Sequence, residues 1–310
     1  MPELWSRLSA VLDGLDGDSE VVFVDDRSID ATPELLAQIH ARDSRCKSIR
    51  LARNFGHQIA ISAGLDAALG DAVIVMDGDL QDPPEIIPRL VARWREGFEV
   101  VYAVREQREG VRWWKRAAYS AFYRLLRRLA SIEIPPDAGD FRLVDRRALD
   151  AFKQMPERTR YVRGMFSWVG FRQVGVTYER HGRYAGDSKY SLLRLVNLAL
   201  SGIVGFSTLP LRLAIAIGAA VSTISFVIGI WALAARLADV FVPPGWTSTV
   251  VIVAFIGGVQ LLLMGVLGLY IGNIYEEVKA RPLYVIDEAV GLGATTAPAG
   301  DALRTSSSAH

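Results

Sequence analysis

The sequence predicts an α/β domain with a mostly parallel sheet, followed by two long apolar helices. Short apolar runs alternate with segments of helical periodicity through the first hundred residues. This alternation is typical of strands in a parallel sheet that is covered by helices. Further along, residues 213–235 and 250–274 carry no charged side chain. Each stretch is long enough to cross a bilayer, which takes ~20 residues.

The composition supports an association with membranes. Hydrophobic residues make up 51% of the chain and the mean hydropathy is +0.22, which is high for a wholly soluble protein. The formal net charge of +1 indicates no nucleic-acid partner. Cys46 is the single cysteine, so the sequence excludes an internal disulfide and a cysteine-based zinc site.

Two of the predicted strands end in pairs of carboxylates. The strand at residues 20–24 is followed by Asp25 and Asp26, and the strand at residues 72–76 is followed by Asp77 and Asp79. Ligands of open α/β sheets bind outside the carboxyl ends of the strands, and Mg²⁺ is usually held by one or two carboxylates plus substrate phosphates. Asp-x-Asp at a strand end is therefore a candidate clamp for a metal–diphosphate, although an acidic, solvated loop has the same pattern. No Gly-x-Gly-x-x-Gly or Gly-Lys-Ser/Thr loop follows a strand, which disfavours dinucleotide-binding and P-loop folds.

Basic and aromatic residues suggest how the chain meets the bilayer. Residues 110–130 combine arginines and lysine with Trp113 and Trp114, a composition that suits a helix at the membrane–water interface, with an ordinary surface helix as the alternative. Basic residues flank the two apolar stretches on their outer sides, while the connector holds only Arg236, so both flanks are expected in the cytoplasm. The predicted organisation is a cytoplasmic catalytic domain at 1–190, a juxtamembrane amphipathic helix at 191–208, two transmembrane helices within 209–276, and a cytoplasmic tail at 277–310 that is disordered from about 291.

Three motifs in succession resemble those of family 2 glycosyltransferases. They are Val-Asp-Asp-Arg-Ser-Ile-Asp at 24–30, Arg-Asn-Phe-Gly-His at 53–57 and Met-Asp-Gly-Asp-Leu-Gln-Asp-Pro-Pro-Glu at 76–85. The sequence is most similar to the branch that glycosylates polyprenyl phosphates, namely dolichol-phosphate mannose synthases and undecaprenyl-phosphate glucosyltransferases, and the similarity continues to about residue 291. This resemblance implies a GT-A (Rossmann-like) fold in a multi-pass protein of the inner (plasma) membrane. It also implies an inverting enzyme that moves a sugar from a UDP- or GDP-sugar to a polyprenyl phosphate, namely undecaprenyl, decaprenyl or dolichyl phosphate. The product would serve cell-envelope glycans or glycolipid modification. Relatives of this family also suggest a homotetramer.

The resemblance assigns roles to the residues that match the family motifs. Asp25 and Asp26 would hold the base and ribose of the donor nucleotide, and Asp77 would also bind the donor nucleotide. Asp77 and Asp79, with help from Gln81, would hold Mg²⁺ or Mn²⁺ against the diphosphate and stabilise the departing nucleotide, which makes Asp79 one of the catalytic residues. The other assigned residues are Asp140 of the Gly-Asp-Phe-Arg segment as the catalytic carboxylate, Arg105 and Arg116 at the acceptor phosphate, and Arg183, Ser188 and Lys189 in a loop over the diphosphate.

The role of Asp140 has an alternative. A phosphate monoester has its second pKa near ~6, so the acceptor is largely dianionic at neutral pH and scarcely needs a base. Asp140 would then orient an arginine or the acceptor.

The sequence departs from the family pattern in two places. Family members begin with a central strand that ends in a Pro-x-Tyr-Asn-Glu-like segment, whereas this chain begins at the helix after it, so we expect such a strand to be encoded upstream of Met1. Arg27 also stands where the family has a glycine. A catalytically impaired membrane scaffold of the same fold is the alternative function. A lipid-linked-sugar transporter is disfavoured because two spans form too small a pathway.

Overall fold

A computed structural model describes residues 1–105, 138–158, 160–178, 209–237 and 245–293 of the 310-residue chain. Arg116, Arg183, Ser188 and Lys189 lie outside the described residues, as do the amphipathic helices expected at 110–130 and 191–208. The elements are α1 (Pro2–Asp13), β1 (Val21–Asp25), α2 (Thr32–Arg42), β2 (Cys46–Leu51), α3 (His57–Ala67), β3 (Ala72–Val75), a 3-10 turn (Pro84–Ile86), α4 (Ile87–Arg95), β4 (Val100–Arg105), β5 (Ala138–Asp145), α5 (Arg146–Lys153), α6 (Val162–Trp168), β6 (Gln173–Tyr178), α7 (Leu209–Leu237), α8 (Trp246–Val278) and β7 (Ile286–Val290).

The described strands form two mixed sheets, so the prediction of one mostly parallel sheet was wrong. The first sheet has the order β1-β2-β7 and the second has the order β3-β5-β4-β6. Two of the pairings are parallel, β1–β2 and β4–β6, whereas β2–β7, β3–β5 and β4–β5 are antiparallel. The α/β class itself is confirmed. Strand–helix alternation along the chain predicts this class, but it does not specify which strand becomes the spatial neighbour of which.

Helix α1 joins the two sheets through side-chain packing. In the described chain β1 pairs only with β2 and β3 only with β5. Leu4 and Leu8 of α1 are buried in a core that also includes Phe23 of β1 and Ile74 of β3. Burial of apolar surface therefore holds this junction together, in place of a shared row of backbone hydrogen bonds.

The C-terminal segment returns to the sheets as strand β7. This segment was expected to be a tail, but residues 281–293 belong to the same compact unit as β1–β6. β7 pairs antiparallel with β2, and Tyr284, just before it, is buried and donates a hydrogen bond from its hydroxyl to Asp66, at 3.0 Å. The local pattern does not indicate this strand, because Asp287, Glu288 and Ala289 are consecutive exposed residues without the alternation of a half-buried strand.

The second compact unit contains the helices α7 and α8, of 29 and 33 residues. Many of their large apolar side chains are exposed, for example Phe226, Trp231 and Leu261. Among the described residues one stretch, Phe255–Val278, is long and apolar enough to cross a membrane, and none of it is buried. Leu213–Ile228 in α7 is apolar but shorter. Within the described ranges, length and composition therefore support one of the two predicted spans, and the second is not confirmed.

Candidate active site

Asp25 ends β1 and closes the turn that follows it. Its carboxylate accepts a hydrogen bond from the Ser28 amide at 2.8 Å, and it lies 3.4 Å from Nε of Arg50 on the neighbouring strand β2. The parallel register places Asp25 directly beside Arg50. Only 2% of the Asp25 side chain is exposed, so this carboxylate shapes the turn at the strand end. Arg50 is a partner that the sequence reasoning missed.

Asp26 fixes the start of helix α3. Its two carboxylate oxygens accept hydrogen bonds from the backbone amides of Phe55 and Gly56, at 2.7 and 2.8 Å. Gly56 has φ of 97°, a conformation that glycine adopts at little cost. The structure thus places the Asp26 carboxylate on the 54–56 backbone, where it determines how the first residue of α3, His57, is presented.

Asp79 is held by Gln81. The amide nitrogen of Gln81 lies 3.0 Å from Oδ1 of Asp79, and its side-chain Nε2 lies 2.6 Å from Oδ2. Gln81 is itself buried, and Leu80 between them has φ of 59°. The turn after β3 therefore orients the second carboxylate of the Asp-x-Asp motif.

Asp77 lies close to Asp140. β3 ends at Val75, which pairs with Arg142 of β5, and Asp77 follows in the turn. Oδ1 of Asp77 and Oδ2 of Asp140 lie 3.7 and 3.0 Å from the same atom, Nε2 of His57, so the two like charges are near each other and repel. Burial raises the pKa of the Asp77 carboxyl, and the neighbouring carboxylates, including Asp140 and Asp79, raise it further.

Arg163 and His57 compensate the charge of Asp140. Nε and Nη2 of Arg163, from α6, lie 2.7 and 2.8 Å from the two Asp140 oxygens, and Nε2 of His57 lies 3.0 Å from Oδ2. Burial alone would raise the pKa of Asp140, but the hydrogen bonds from Arg163 and His57 outweigh it and hold this pKa far below its ordinary value. The same bond to Asp140 raises the pKa of His57, and Nε2 of His57 is also 3.7 Å from Oδ1 of Asp77.

Arg142 adds a buried cation beside this group. It lies two residues after Asp140 on β5. Burial lowers the pKa of its guanidinium to about 10. Nη2 donates to the Gly139 carbonyl at 3.0 Å, while Nε has no hydrogen-bond partner among the residues that the structure describes. Its charge contributes to the low pKa of Asp140.

The chemistry of Asp77 and Asp79 suits a divalent cation. No group of three or more His, Cys, Asp or Glu in the described ranges is arranged to hold a metal by itself. Two carboxylates in one turn, plus phosphate oxygens from a substrate, are nevertheless the usual ligands of Mg²⁺ in phosphate-handling enzymes. The residues present therefore fit a metal that binds together with its substrate.

Comparison with known proteins identifies the family. The model for glycosyl transferase family 2 matches residues 2–152. An uncharacterized glycosyltransferase of Synechocystis sp. is 44% identical over 292 residues, covering 94% of this chain and 92% of that protein. The SfII prophage-derived bactoprenol glucosyl transferase of Shigella flexneri is 44% identical over 269 residues, 86% of each chain. The prophage bactoprenol glucosyl transferase homolog of Escherichia coli is 41% identical over 267 residues, covering 86% of this chain and 87% of that protein. The chain belongs to glycosyl transferase family 2.

The protein is thus a glycosyltransferase, and the site brings together some of the residues that its sequence singled out. Asp77 and Asp140 both lie close to Nε2 of His57. Asp26 binds the backbone amides of residues 55 and 56, directly before His57 in the chain. Arg105 is the last residue of β4, where its backbone pairs in register with Tyr178.

The sequence did not identify the contacts of three further residues of this glycosyltransferase site, namely His57, Arg142 and Arg163. His57 and Arg142 lie inside the family-like motifs, which mark these two as candidates. Only the structure shows what the three side chains bind.

Proposed function

We propose that this glycosyltransferase moves a sugar from a nucleotide-sugar donor to the phosphate of a membrane polyprenol. The observation that carries the proposal is that Asp140, which Arg163 binds, and Asp77 of the Asp-x-Asp turn both lie within 4 Å of Nε2 of His57. In this proposal Asp77 is the donor-side carboxylate and Asp140 the acceptor-side carboxylate of one site. Two relatives carry bactoprenol glucosyl transferase in their names, and the apolar Phe255–Val278 stretch suits an enzyme whose acceptor lies in a bilayer.

On the donor side, Asp77 and Asp79 would hold Mg²⁺ or Mn²⁺, with Gln81 keeping Asp79 in place. Such an ion, when bound, supplies positive charge for the diphosphate of a departing UDP or GDP. The Asp25 turn, fixed by Ser28 and Arg50, would border the nucleoside. The loop residues Arg183, Ser188 and Lys189 would cover the diphosphate.

The transfer itself is a direct displacement. An oxygen of the acceptor phosphate forms a bond to the anomeric carbon while the bond from that carbon to the diphosphate oxygen breaks, and the nucleoside diphosphate leaves with the electron pair. This step inverts the anomeric centre, so an α-linked donor yields a β-linked product. No proton has to leave the acceptor, because a phosphate monoester is largely dianionic above its second pKa of ~6.

Asp140 in this mechanism orients its neighbours and is not a general base. Its pKa is held far below the ordinary value, which makes the carboxylate a weak base, and both of its oxygens are engaged by Arg163. Arg105 and Arg116 would bind the acceptor phosphate, since guanidinium groups bind phosphates through paired charge-assisted hydrogen bonds.

The proposed setting is the inner membrane, with the catalytic unit in the cytoplasm. Basic residues outside the two apolar helices support this orientation. In this proposal α7 forms a second span beside α8, and the enzyme assembles as a homotetramer.

The test is turnover by the purified protein. Undecaprenyl phosphate is supplied with a panel of UDP- and GDP-sugars in the presence of Mg²⁺ or Mn²⁺. We expect transfer of a single sugar from one donor, and its loss on chelation and in Asp79→Asn, while Asp16→Asn at an exposed position serves as the matched control. Transfer to no polyprenyl phosphate, with nucleotide-sugar binding retained, would favour the scaffold alternative. Full activity in excess chelator would contradict the metal clamp.

A further inference from the structure

The turn at residues 54–56 and the first two residues of α3, His57 and Gln58, together contact four elements that surround the site. The backbone amides of Phe55 and Gly56 bind Asp26 after β1. His57 reaches Asp140 on β5 and Asp77 after β3. The next side chain, Gln58, accepts a hydrogen bond at Oε1 from the amide of Val162, the first residue of α6, at 2.9 Å. Residues 54–58 therefore have fixed contacts with every element that carries a site carboxylate or Arg163.

The contacts of His57 are polar rather than packing contacts. Its side chain is 54% exposed, so burial contributes little to its placement. Nε2 is 3.0 Å from Oδ2 of Asp140, a hydrogen-bond distance, but 3.7 Å from Oδ1 of Asp77, which is too long for a direct bond. His57 thus binds the carboxylate of Asp140 and lies close to that of Asp77.

His57 lies between two carboxylates that repel each other. Oδ1 of Asp77 and Oδ2 of Asp140 are both within 4 Å of Nε2 of His57, and like charges at such short separation are unfavourable without a group between them. Arg163 engages Asp140 from the α6 side, whereas His57 approaches from the start of α3, on the side of Asp77. Removal of the imidazole would therefore remove the group that keeps the two carboxylates at a fixed separation.

We propose that His57 is a positioning residue for sugar transfer. By donating a hydrogen bond to Asp140, it sets this carboxylate and its partner Arg163 at a fixed place relative to Asp77 and the bound donor. The inference rests on the proposed function, because Asp77 and Asp140 serve there as the donor-side and acceptor-side carboxylates. Misplacement of a reacting group by about 1 Å can cost ~100-fold in rate, so a spacer at this point acts on the chemical step.

The kinetic test compares three variants with the wild-type protein and undecaprenyl phosphate. His57→Ala should lower kcat by about 10- to 100-fold and change the donor KM by less than about 3-fold. His57→Gln retains an N–H donor on the side chain and should recover most of the lost rate. If His57 acts through Asp140, the double variant His57→Ala/Asp140→Asn should be no slower than Asp140→Asn alone. His40→Ala is the matched control, since His40 binds the Cys46 carbonyl on β2.

A second readout does not depend on turnover. In protein labelled with ¹⁵N-histidine, the Nε2 proton of His57 should give a downfield NMR signal that is lost in Asp140→Asn and retained in Asp77→Asn. Mn²⁺ binding, measured by paramagnetic resonance with donor present, should change by less than about 3-fold in His57→Ala, because His57 does not bond Asp77 directly.

Three results would overturn the proposal. They are a double variant much slower than Asp140→Asn, a histidine signal that follows Asp77 rather than Asp140, or a tenfold loss of Mn²⁺ affinity with kcat unchanged at saturating metal. If the wild-type protein transfers no sugar to any polyprenyl phosphate, the proposed function fails, and the NMR signal still decides whether His57 positions Asp140.

Discussion

Arg163 binds Asp140 through both carboxylate oxygens, with Nε 2.7 Å from Oδ1 and Nη2 2.8 Å from Oδ2. The two residues come from α6 and β5, so the pair holds a helix against the strand that carries Asp140. Because the fork of a guanidinium matches the spacing of two carboxylate oxygens, this pair fixes the plane of the carboxylate as well as its position.

Replacement of Arg163 by lysine should therefore impair the enzyme although the charge is kept. An ammonium group makes a point contact and cannot fix the carboxylate plane. We expect turnover to fall by about 10- to 100-fold and the pKa of Asp140 to rise toward its ordinary value. The measurements are kcat with saturating donor and a carboxyl titration by NMR. Arg93→Lys, which alters an exposed pair with Glu96, is the control, and wild-type turnover in Arg163→Lys would show that the bidentate geometry is dispensable.

Arg105→Ala should separate acceptor binding from donor binding. Arg105 is the last residue of β4, whereas Asp77 and Asp79 lie in the turn after β3. If its guanidinium binds the acceptor phosphate, the KM for polyprenyl phosphate should rise by about 10-fold or more, the equivalent of ~1.4 kcal/mol, while the donor affinity stays within about 2-fold. Equal changes in both constants would place Arg105 in the donor site or in the fold alone.

Asp66 should make stability depend on pH in the direction opposite to most carboxylates. Burial raises the pKa of Asp66, and the hydrogen bond from the Tyr284 hydroxyl only partly opposes this. The folded state therefore keeps this proton at a higher pH than the unfolded chain, so the free energy of unfolding falls as pH rises from about 4 through the folded pKa.

Asp66→Asn tests this directly, because the amide preserves the shape and removes the charge. We expect the variant to be more stable than the wild type at about pH 7.5, by about 1.4 kcal/mol for each unit by which the pKa is raised. Its advantage should shrink toward about pH 4, where wild-type Asp66 is protonated in both states. Thermal unfolding at several pH values measures the difference, and a gap that does not change with pH would contradict the prediction.

Arg27 occupies a left-handed backbone conformation that favours some replacements over others. Its φ is 67°, and its guanidinium binds Asp287 of β7 at the exposed edge of the first sheet. An exposed ion pair contributes about 0–1 kcal/mol, whereas a β-branched side chain in this conformation adds a strain of about 1–2 kcal/mol. Arg27→Val should therefore unfold at a lower temperature than Arg27→Asn, since asparagine tolerates positive φ. Identical melting curves for these two variants would show that the turn relaxes to another conformation.

Several parts of this glycosyltransferase could be predicted because they depend on residues close together in the chain. The carboxylates Asp25, Asp77 and Asp79 follow apolar runs that form strands β1 and β3, and the local pattern specifies this placement. The apolar character of α7 and α8 is equally local. The family-like motifs extended the prediction to Asp140, whose neighbours in the chain alone give no sign of its function.

By itself the sequence determined the α/β class, the strand-end carboxylates and the apolar helices, because periodicity and turn residues act within a few positions. Only the tertiary structure decided which groups those carboxylates meet. His57 and Asp140 are 83 residues apart, Arg163 and Asp140 are 23 apart, and Arg27 and Asp287 are 260 apart. The antiparallel β3–β5 register and the return of β7 to β2 also join distant segments. Such pairings depend on the free energy of the whole packed chain, for which a local pattern carries no information.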